Sequence, residues 1–504
     1  MISAKAFGDS SRVTVAHFHA IAIALFLFQG IVWIGLPLLL NGSILRDVAE
    51  GVADGPNWQL SYLRHPPLSS WLSGIASTLG PFRYATIYTF GWLLASGAFL
   101  LLGLFLARND KPEAGLVALL AGFASPFATY IPLNLNHNIT VIFFWSLSFG
   151  VAWRAFTRGG LGDWLSFGAA VGAGLWAKYA LLHLILPLVI LFWLVPEWRR
   201  QVAKPGPWLA ILVCLAIIAP HLADVVSKGA TTLQYAVKAT PVPLGGRAIR
   251  LIVFVLNCAQ AQIGMALIAM AFGGGAVLGK AWRQIRDWRA ASRFEQFLGV
   301  AAFGPVAIVL FATVLGAEPQ FLWQTPFSIG FAAFWGHAAA NAGTAQHTRR
   351  LFQVFAAFAC LFVITFTGMR ELTPLVTRHP HNQDMNGPAL AALAQHYWAE
   401  RHAGPIPFMV SLNHPQGFQA AESIAFDLPY RVETLIEGDP TNSPWLDLTP
   451  LKRNGALVVM TAPPPAGTAI LGVPIENIET FARPMLRSAY PPPILFGELR
   501  GQEQ

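Results

Sequence analysis

Asp47 and Glu50 stand three residues apart in Leu45-Arg46-Asp47-Val48-Ala49-Glu50, which puts both carboxylates on one face if the stretch is helical. Such a pair can act as a general base, as a divalent-metal site, or as both, because the shared charge raises one pKa and attracts a cation. The same spacing also occurs in solvated loop helices with no chemistry. Shortly after comes Arg64-His65-Pro66-Pro67-Leu68-Ser69-Ser70-Trp71. Two prolines fix φ near −65° and force extended backbone before the next helix, so Arg64 and His65 are held at a set height. A helix-entry turn without catalysis has the same form. Lys178 is an ionisable group amid the apolar run 161–196, and a charge placed there is costly and usually functional, unless it snorkels to the interface.

These residues must be positioned by membrane helices. The 504-residue chain is 55% hydrophobic and 12% charged, half the charge of an ordinary soluble domain, which excludes a soluble enzyme, a disordered protein and a coiled coil. Residues 13–40 are almost continuously apolar and form a first spanning helix, with no small-residue cleavage site after them. Further apolar runs cover 84–107, 114–132, 138–157, 207–222, 248–278, 296–316, 326–341 and 351–369. The run 161–196 would reach roughly 54 Å as one helix, so it divides into two short helices meeting near Lys178-Tyr179. The reading is an all-helical membrane part, residues 1–370, with about eleven spans.

The positive-inside rule orients it. With Lys5 and Arg12 in the cytoplasm, sixteen Lys and Arg fall in inner loops, among them Lys280, Arg283, Arg286, Arg289 and Arg293. Eight fall outside, including Lys178, Lys238, Arg247 and Arg250. An unsplit 161–196 reverses the later loops and puts the five-cation segment outside. The first outer loop, 41–83, then faces outward with Lys178 and the tail. That tail, residues 371–504, carries net −5 against +13 for the rest. It reads as a small soluble α/β domain, with helices at 387–401 and 415–426 and strands at 406–411 and 456–460. Cys214, Cys258 and Cys360 lie in apolar runs and read as small buried hydrophobes. Tryptophans such as Trp33, Trp92 and Trp323 read as interfacial anchors.

The ordered set of motifs resembles the polyprenyl-phosphate-dependent glycosyltransferases of the glycosyltransferase-C superfamily, in the bacterial branch related to protein O-mannosyltransferases and the lipid A aminoarabinose transferase. It comprises the apolar first helix, the long loop with an acidic helix, and His65-Pro66-Pro67-Leu68 with Trp71. Asn136-His137-Asn138 then leads into Ile142-Phe143-Phe144-Trp145, and Ala177-Lys178-Tyr179 looks like the family's short Ser-Lys-Tyr junction. Pro205-Gly206-Pro207-Trp208 and Ala219-Pro220-His221 complete a likeness covering roughly 13–230.

The resemblance implies transfer of a sugar, with inversion, from a polyprenyl-phosphate donor to a hydroxyl of an envelope lipid, glycan or protein, at the outer face of a bacterial inner membrane. Asp47 matches the family's catalytic acid, with Glu50 supporting it or sharing a divalent ion. Many members have Asp-Glu where this chain has Asp47-Val48, which leaves metal dependence open. Lys178, Arg64, His65, Arg247 and Arg250 are candidates for the donor phosphate, and Tyr179, His137 and Asn138 for further donor or acceptor contacts. Membrane lipids are partners, and nucleic acid is not expected.

A transporter or lipid flippase with an extracytoplasmic domain is the competing class. It calls for buried polar groups near mid-membrane beside broken helices. Asn257, Gln260 and Gln262 are the one such cluster and carry no charge, whereas the ionisable residues gather at outer helix ends. That placement favours the enzyme.

Overall fold

The computed structural model describes residues 13–229, 243–376, 381–413 and 416–501. Lys5, Arg12 and Lys238, used above to orient the chain, lie outside them. Each apolar run becomes a helix: α1 (Val15–Leu40), α4 (Arg83–Asn109), α5 (Pro112–Phe123), α6 (His137–Arg158), α7 (Leu161–Leu175), α8 (Leu182–Leu194), α10 (Pro205–Ser227), α11 (Leu244–Gly273), α13 (Arg293–Val314), α14 (Phe327–Ala340) and α15 (Thr348–Glu371). Between them lie α2 (Arg46–Asp54), α3 (Leu68–Ser77), the one-turn α9 (Pro196–Arg199) and α12 (Ala276–Arg286).

Among the described residues, seven helices are long and apolar enough to cross a membrane, or nine if two bent pairs each count as one span. One bent pair is α5 with Pro126–Leu133, the other Tyr179–Leu194 with Pro196–Ala203. The expected count of eleven is therefore not reached by length. α7 and α14 have 15 and 14 residues, short of the roughly 20 that span a bilayer alone.

Packing shows why shortness is tolerated in α14. Every residue of α14 but Trp335 is buried, and so is α5 from Glu113 to Phe123. These helices meet protein rather than lipid. Close approach makes this possible: a Cβ on Gly115 would fall 2.4 Å from the Gly103 carbonyl oxygen, and one on Gly336 2.6 Å from that of Ala114. Small residues that let backbones touch are how membrane helices pack. The outer helices instead expose Ile31 and Leu39 on α1, Leu212 on α10 and Ile364 on α15, an apolar girdle suited to lipid. The chain is a multi-pass membrane protein.

The division at Lys178 is as expected. α7 ends at Leu175, Trp176 to Lys178 form the turn, and a single 3₁₀ turn, Tyr179–Leu181, starts α8. Three expectations change. Trp33 is buried in mid-helix, edge-on to Phe366. Trp92 packs on Phe26 and donates to its carbonyl, so neither is an interfacial anchor. Cys360 is exposed on the apolar girdle and Cys214 half-buried, while Cys258 alone is buried.

After α15 the chain forms a soluble α/β unit. α16 (Gly387–Ala399) and α17 (Gln416–Asp427) match the expected helices. Its strands are β1 (Met409–Ser411), β2 (Thr434–Ile436), β3 (Ala456–Met460), β4 (Ala469–Ile470), β5 (Val473–Pro474), β6 (Glu476–Ala482) and β7 (Pro493–Leu499). The main sheet runs β2-β1-β3-β7-β6, with β1 parallel to β2 and β3 and β7 antiparallel to β3 and β6. β1 and β3 are wholly buried. Pro493 starts β7, where φ near −65° suits the first residue of a strand.

Candidate active site

α2 is amphipathic: Val48, Ala49 and Val52 are buried in a cluster with Ile44, Ile87 and Leu135, while Asp47, Glu50 and Asp54 recur at i, i+3 and i+7 along one line. α3 fixes the height of α2. Gly55 and Gly74 touch, and a Cβ on Gly55 would fall 1.9 Å from the Ser70 carbonyl oxygen. Pro67 directly precedes α3, and the Leu68 N–H donates to the Trp176 carbonyl at 3.2 Å. The His65-Pro66-Pro67 turn is thereby tied to the Lys178 turn.

The chain before α6 supplies the partners of Asp47. The Asn134 and Asn136 side-chain amides both donate to Asp47 Oδ2, at 2.9 and 2.7 Å. The Asp47 N–H returns a bond to Asn134 Oδ1 at 3.2 Å. Asn136 also caps α6, its Oδ1 accepting from the Asn138 and Ile139 N–H groups. One side chain therefore starts α6 and holds the carboxylate. Lys178 Nζ donates to Asn138 Oδ1. The His65 and His137 rings stack with centroids 3.7 Å apart, and His137 Nε2 lies 3.3 Å from Asn138 Nδ2.

Electrostatics follow from this packing. Burial raises the Asp47 pKa; the Asn136 bond, Arg46, the Asn134 bond and the Lys178 charge oppose it. Burial also raises Glu50, against the pull of Arg64 and with a push from Asp47. Asp54 is raised well above the ordinary range by burial, then by Glu50 and Glu422. His65 is driven down to about 3 by burial and by the charges of Lys178 and Arg64. It is neutral near pH 7 and meets an anion as a hydrogen-bonding ring, not as a cation.

Seven of the ten expected residues gather here: Asp47, Glu50, Arg64, His65, His137, Asn138 and Lys178. Three do not. Tyr179 points to α10, its hydroxyl 2.5 Å from His221 Nε2, and His221 Nδ1 lies 2.6 Å from the Leu60 carbonyl. Arg247 donates to the Val314 carbonyl at 2.7 Å, and Arg250 pairs with Glu318 at 3.0 Å. These arginines tie α11 to the end of α13 and the chain just after it, with Glu318 the partner of Arg250.

Sequence reasoning passed over Asn134, Asn136 as a partner of Asp47, and Asp54. The readable signal was the alternation Asn134-Leu135-Asn136-His137-Asn138, which aims polar side chains one way from extended backbone just before a helix. The tail completes the wall: Ile436, Asn442 and Trp445 line a small pocket with Glu50, Asp54 and Arg64.

As a metal centre the donor set is thin. Among the described residues no three His, Cys, Asp or Glu side chains group to hold an ion, and Asp47 Oδ2 accepts from two amide N–H donors. The arrangement suits proton transfer and anion binding, and no step below passes through a metal.

Residues 64–223 match the family model of dolichyl-phosphate-mannose-protein mannosyltransferase. The match takes in His65, Asn138 and Lys178 and stops short of Asp47 and Glu50. No curated protein matches the sequence. The chain superposes on the crystal structure of ArnT from Cupriavidus metallidurans bound to undecaprenyl phosphate with a TM-score of 0.60 and 14% identity, covering 96% of this chain and 98% of that one. For the apo state of that ArnT the values are 0.59 and 13%, with 95% and 98% covered. The Archaeoglobus fulgidus oligosaccharyltransferase in its apo form gives 0.44 and 12%, covering 82% of this chain and 64% of that one. The resemblance read from the motifs is borne out, and the fold is that of ArnT.

Proposed function

We propose that this ArnT-like membrane glycosyltransferase of the glycosyltransferase-C type moves a sugar, with inversion, from a polyprenyl-phosphate donor to a hydroxyl of an envelope lipid, glycan or protein. The site faces the outside of a bacterial inner membrane. One observation carries the reading: a half-buried carboxylate, Asp47, and a half-buried cation, Lys178, converge from α2 and the α7–α8 turn, linked through Asn136, the cap of α6, and Asn138 in its first turn.

In the reaction the acceptor oxygen attacks the anomeric carbon and the bond from that carbon to the phosphate oxygen breaks. Asp47 takes the acceptor proton, its raised pKa making it a better base than an exposed aspartate. Charge builds on the departing lipid phosphate, where Lys178 and Arg64, both half-buried, stabilise it. His65 and Asn138 add neutral hydrogen bonds. Glu50 and Asp54 keep protons more readily than Asp47's exposed equivalents would, which limits repulsion of the phosphate.

Replacing Asp47 by Asn keeps size and amide contacts and removes the base. Transfer from a purified polyprenyl-phosphate sugar is expected to fall about 10²–10⁴-fold, with unchanged membrane insertion and donor binding. EDTA should leave the wild-type rate unchanged. Near-normal transfer by D47N removes the base assignment, and loss of activity in EDTA restores a metal role for Asp47 and Glu50.

A further inference from the structure

A cavity of about 790 Å³ lies away from Asp47, between α8 and α13. That is the size of a small-molecule site. Its walls are apolar: Val300, Phe303 and Ala307 of α13 line it together with Ile190, Leu191 and Leu194 of α8. Ile190 and Leu194 are more than half exposed on the girdle, so the groove opens sideways to lipid. From Arg293 to Ile308 it follows α13 for about 22 Å, close to one leaflet.

Its two ends differ in chemistry. α8 starts beside Lys178 and runs away from it, so the end at Leu194 and Val195 lies on the opposite membrane face from Asp47. That end is lined by Arg289, Arg293, Gln284 and Trp288. Arg293 is shared with Gln296 and Glu197, whereas Arg289 stands exposed at the mouth. Gln284 is 4% exposed, and its Oε1 has no hydrogen-bond partner. Cationic mouth and long apolar trough match a lipid with an anionic head and a hydrocarbon chain, and the Gln284 oxygen can accept from a headgroup hydroxyl.

We infer that this groove binds an anionic glycerophospholipid from the leaflet opposite the Asp47 cluster, with its phosphate at Arg289 and Arg293 and one acyl chain along Leu194, Phe303 and Ala307. The inference does not depend on the reaction assigned to Asp47. The bound lipid lies in the groove beside the direct contact that α8 and α13 make at Pro187 and Gly304. It also bridges α8, which carries the Lys178 turn, to α13.

The test uses the full chain in detergent with phosphatidylglycerol or phosphatidylcholine of identical chains, and reads retained lipid by native mass spectrometry and thermal stability. Phosphatidylglycerol should be retained preferentially. Arg289→Ala should weaken that retention about fivefold, the worth of one arginine near an anionic headgroup, with phosphatidylcholine unaffected. Ala307→Phe, which fills the trough, should reduce retention of both. Equal retention of the two lipids, or an Arg289→Ala variant that binds like wild type, overturns the headgroup assignment. Unchanged retention in Ala307→Phe overturns the chain position, and displacement of phosphatidylglycerol from this groove by polyprenyl phosphate shows that a different lipid is the occupant.

Discussion

At the scale of single residues, Asn136 joins two tasks that can be separated. Its Oδ1 caps α6 and its Nδ2 holds Asp47. Serine caps about as well as asparagine but is too short to reach the carboxylate. A hydrogen bond to the ionised form lowers a pKa, so Asn136→Ser should raise that of Asp47. Since the base must be ionised, the acid limb of the pH–rate profile should move up by about one unit, with little change in thermal stability. A profile that stays in place would show that Asp47 titrates independently of this amide. Such partnerships were hidden in the sequence because Asn136 and Asp47 are 89 positions apart. Lys178 was legible because one charge in a long apolar run advertises its own cost. Arg247 and Arg250 advertised charge equally, yet their contacts at Val314 and Glu318 depend on how α11 meets α13.

At the scale of elements, the contact between α2 and α3 sets where the carboxylates stand. Gly55→Ala would push a methyl group into the Ser70 carbonyl, which the two helices can relieve only by moving apart. Overpacking of this kind costs about 1–3 kcal/mol. The variant should therefore lose thermal stability and lose transfer by a larger factor than the stability change explains, because Asp47 moves with α2. A G55A protein with wild-type turnover would mean that the helix height is set elsewhere. The long helices were easy to read, since each apolar run has few alternatives in a membrane. β2, β6 and β7 escaped notice for physical reasons. β2 has three residues, and β6 alternates around exposed Asn477, Ile478 and Thr480, which is the pattern of an edge strand covering little.

At the scale of the whole molecule, the tail sits directly on the first loop and the start of α4. Ser43 donates to Ser423 at 2.7 Å, Tyr84 to Asp427 at 2.8 Å, and the Gly387 N–H to the Gly42 carbonyl at 2.8 Å. Glu422 of α17 is 1% exposed and close enough to raise the pKa of Asp54. Burial pushes Glu422 itself up to about 8. A carboxyl with a raised folded-state pKa favours the folded state fully below about pH 4.5, its ordinary value, and that stability is lost as pH rises towards 8. The melting temperature should therefore fall between pH 5 and 8. Glu422→Gln should flatten that dependence and melt higher than wild type at pH 8. An unchanged slope would place the pH dependence elsewhere.

The Ser43–Ser423 contact joins positions 380 residues apart, and this has a consequence for biosynthesis. At about 5–20 residues per second, the ribosome needs on the order of 20 to 80 s after finishing the first loop to deliver α17. During that interval the helices can insert and pack, but the roof over Glu50 and Asp54 does not exist. Newly made chains therefore pass through an uncovered stage, and the pocket wall shared with Trp445 closes only when the last quarter of the protein has been made.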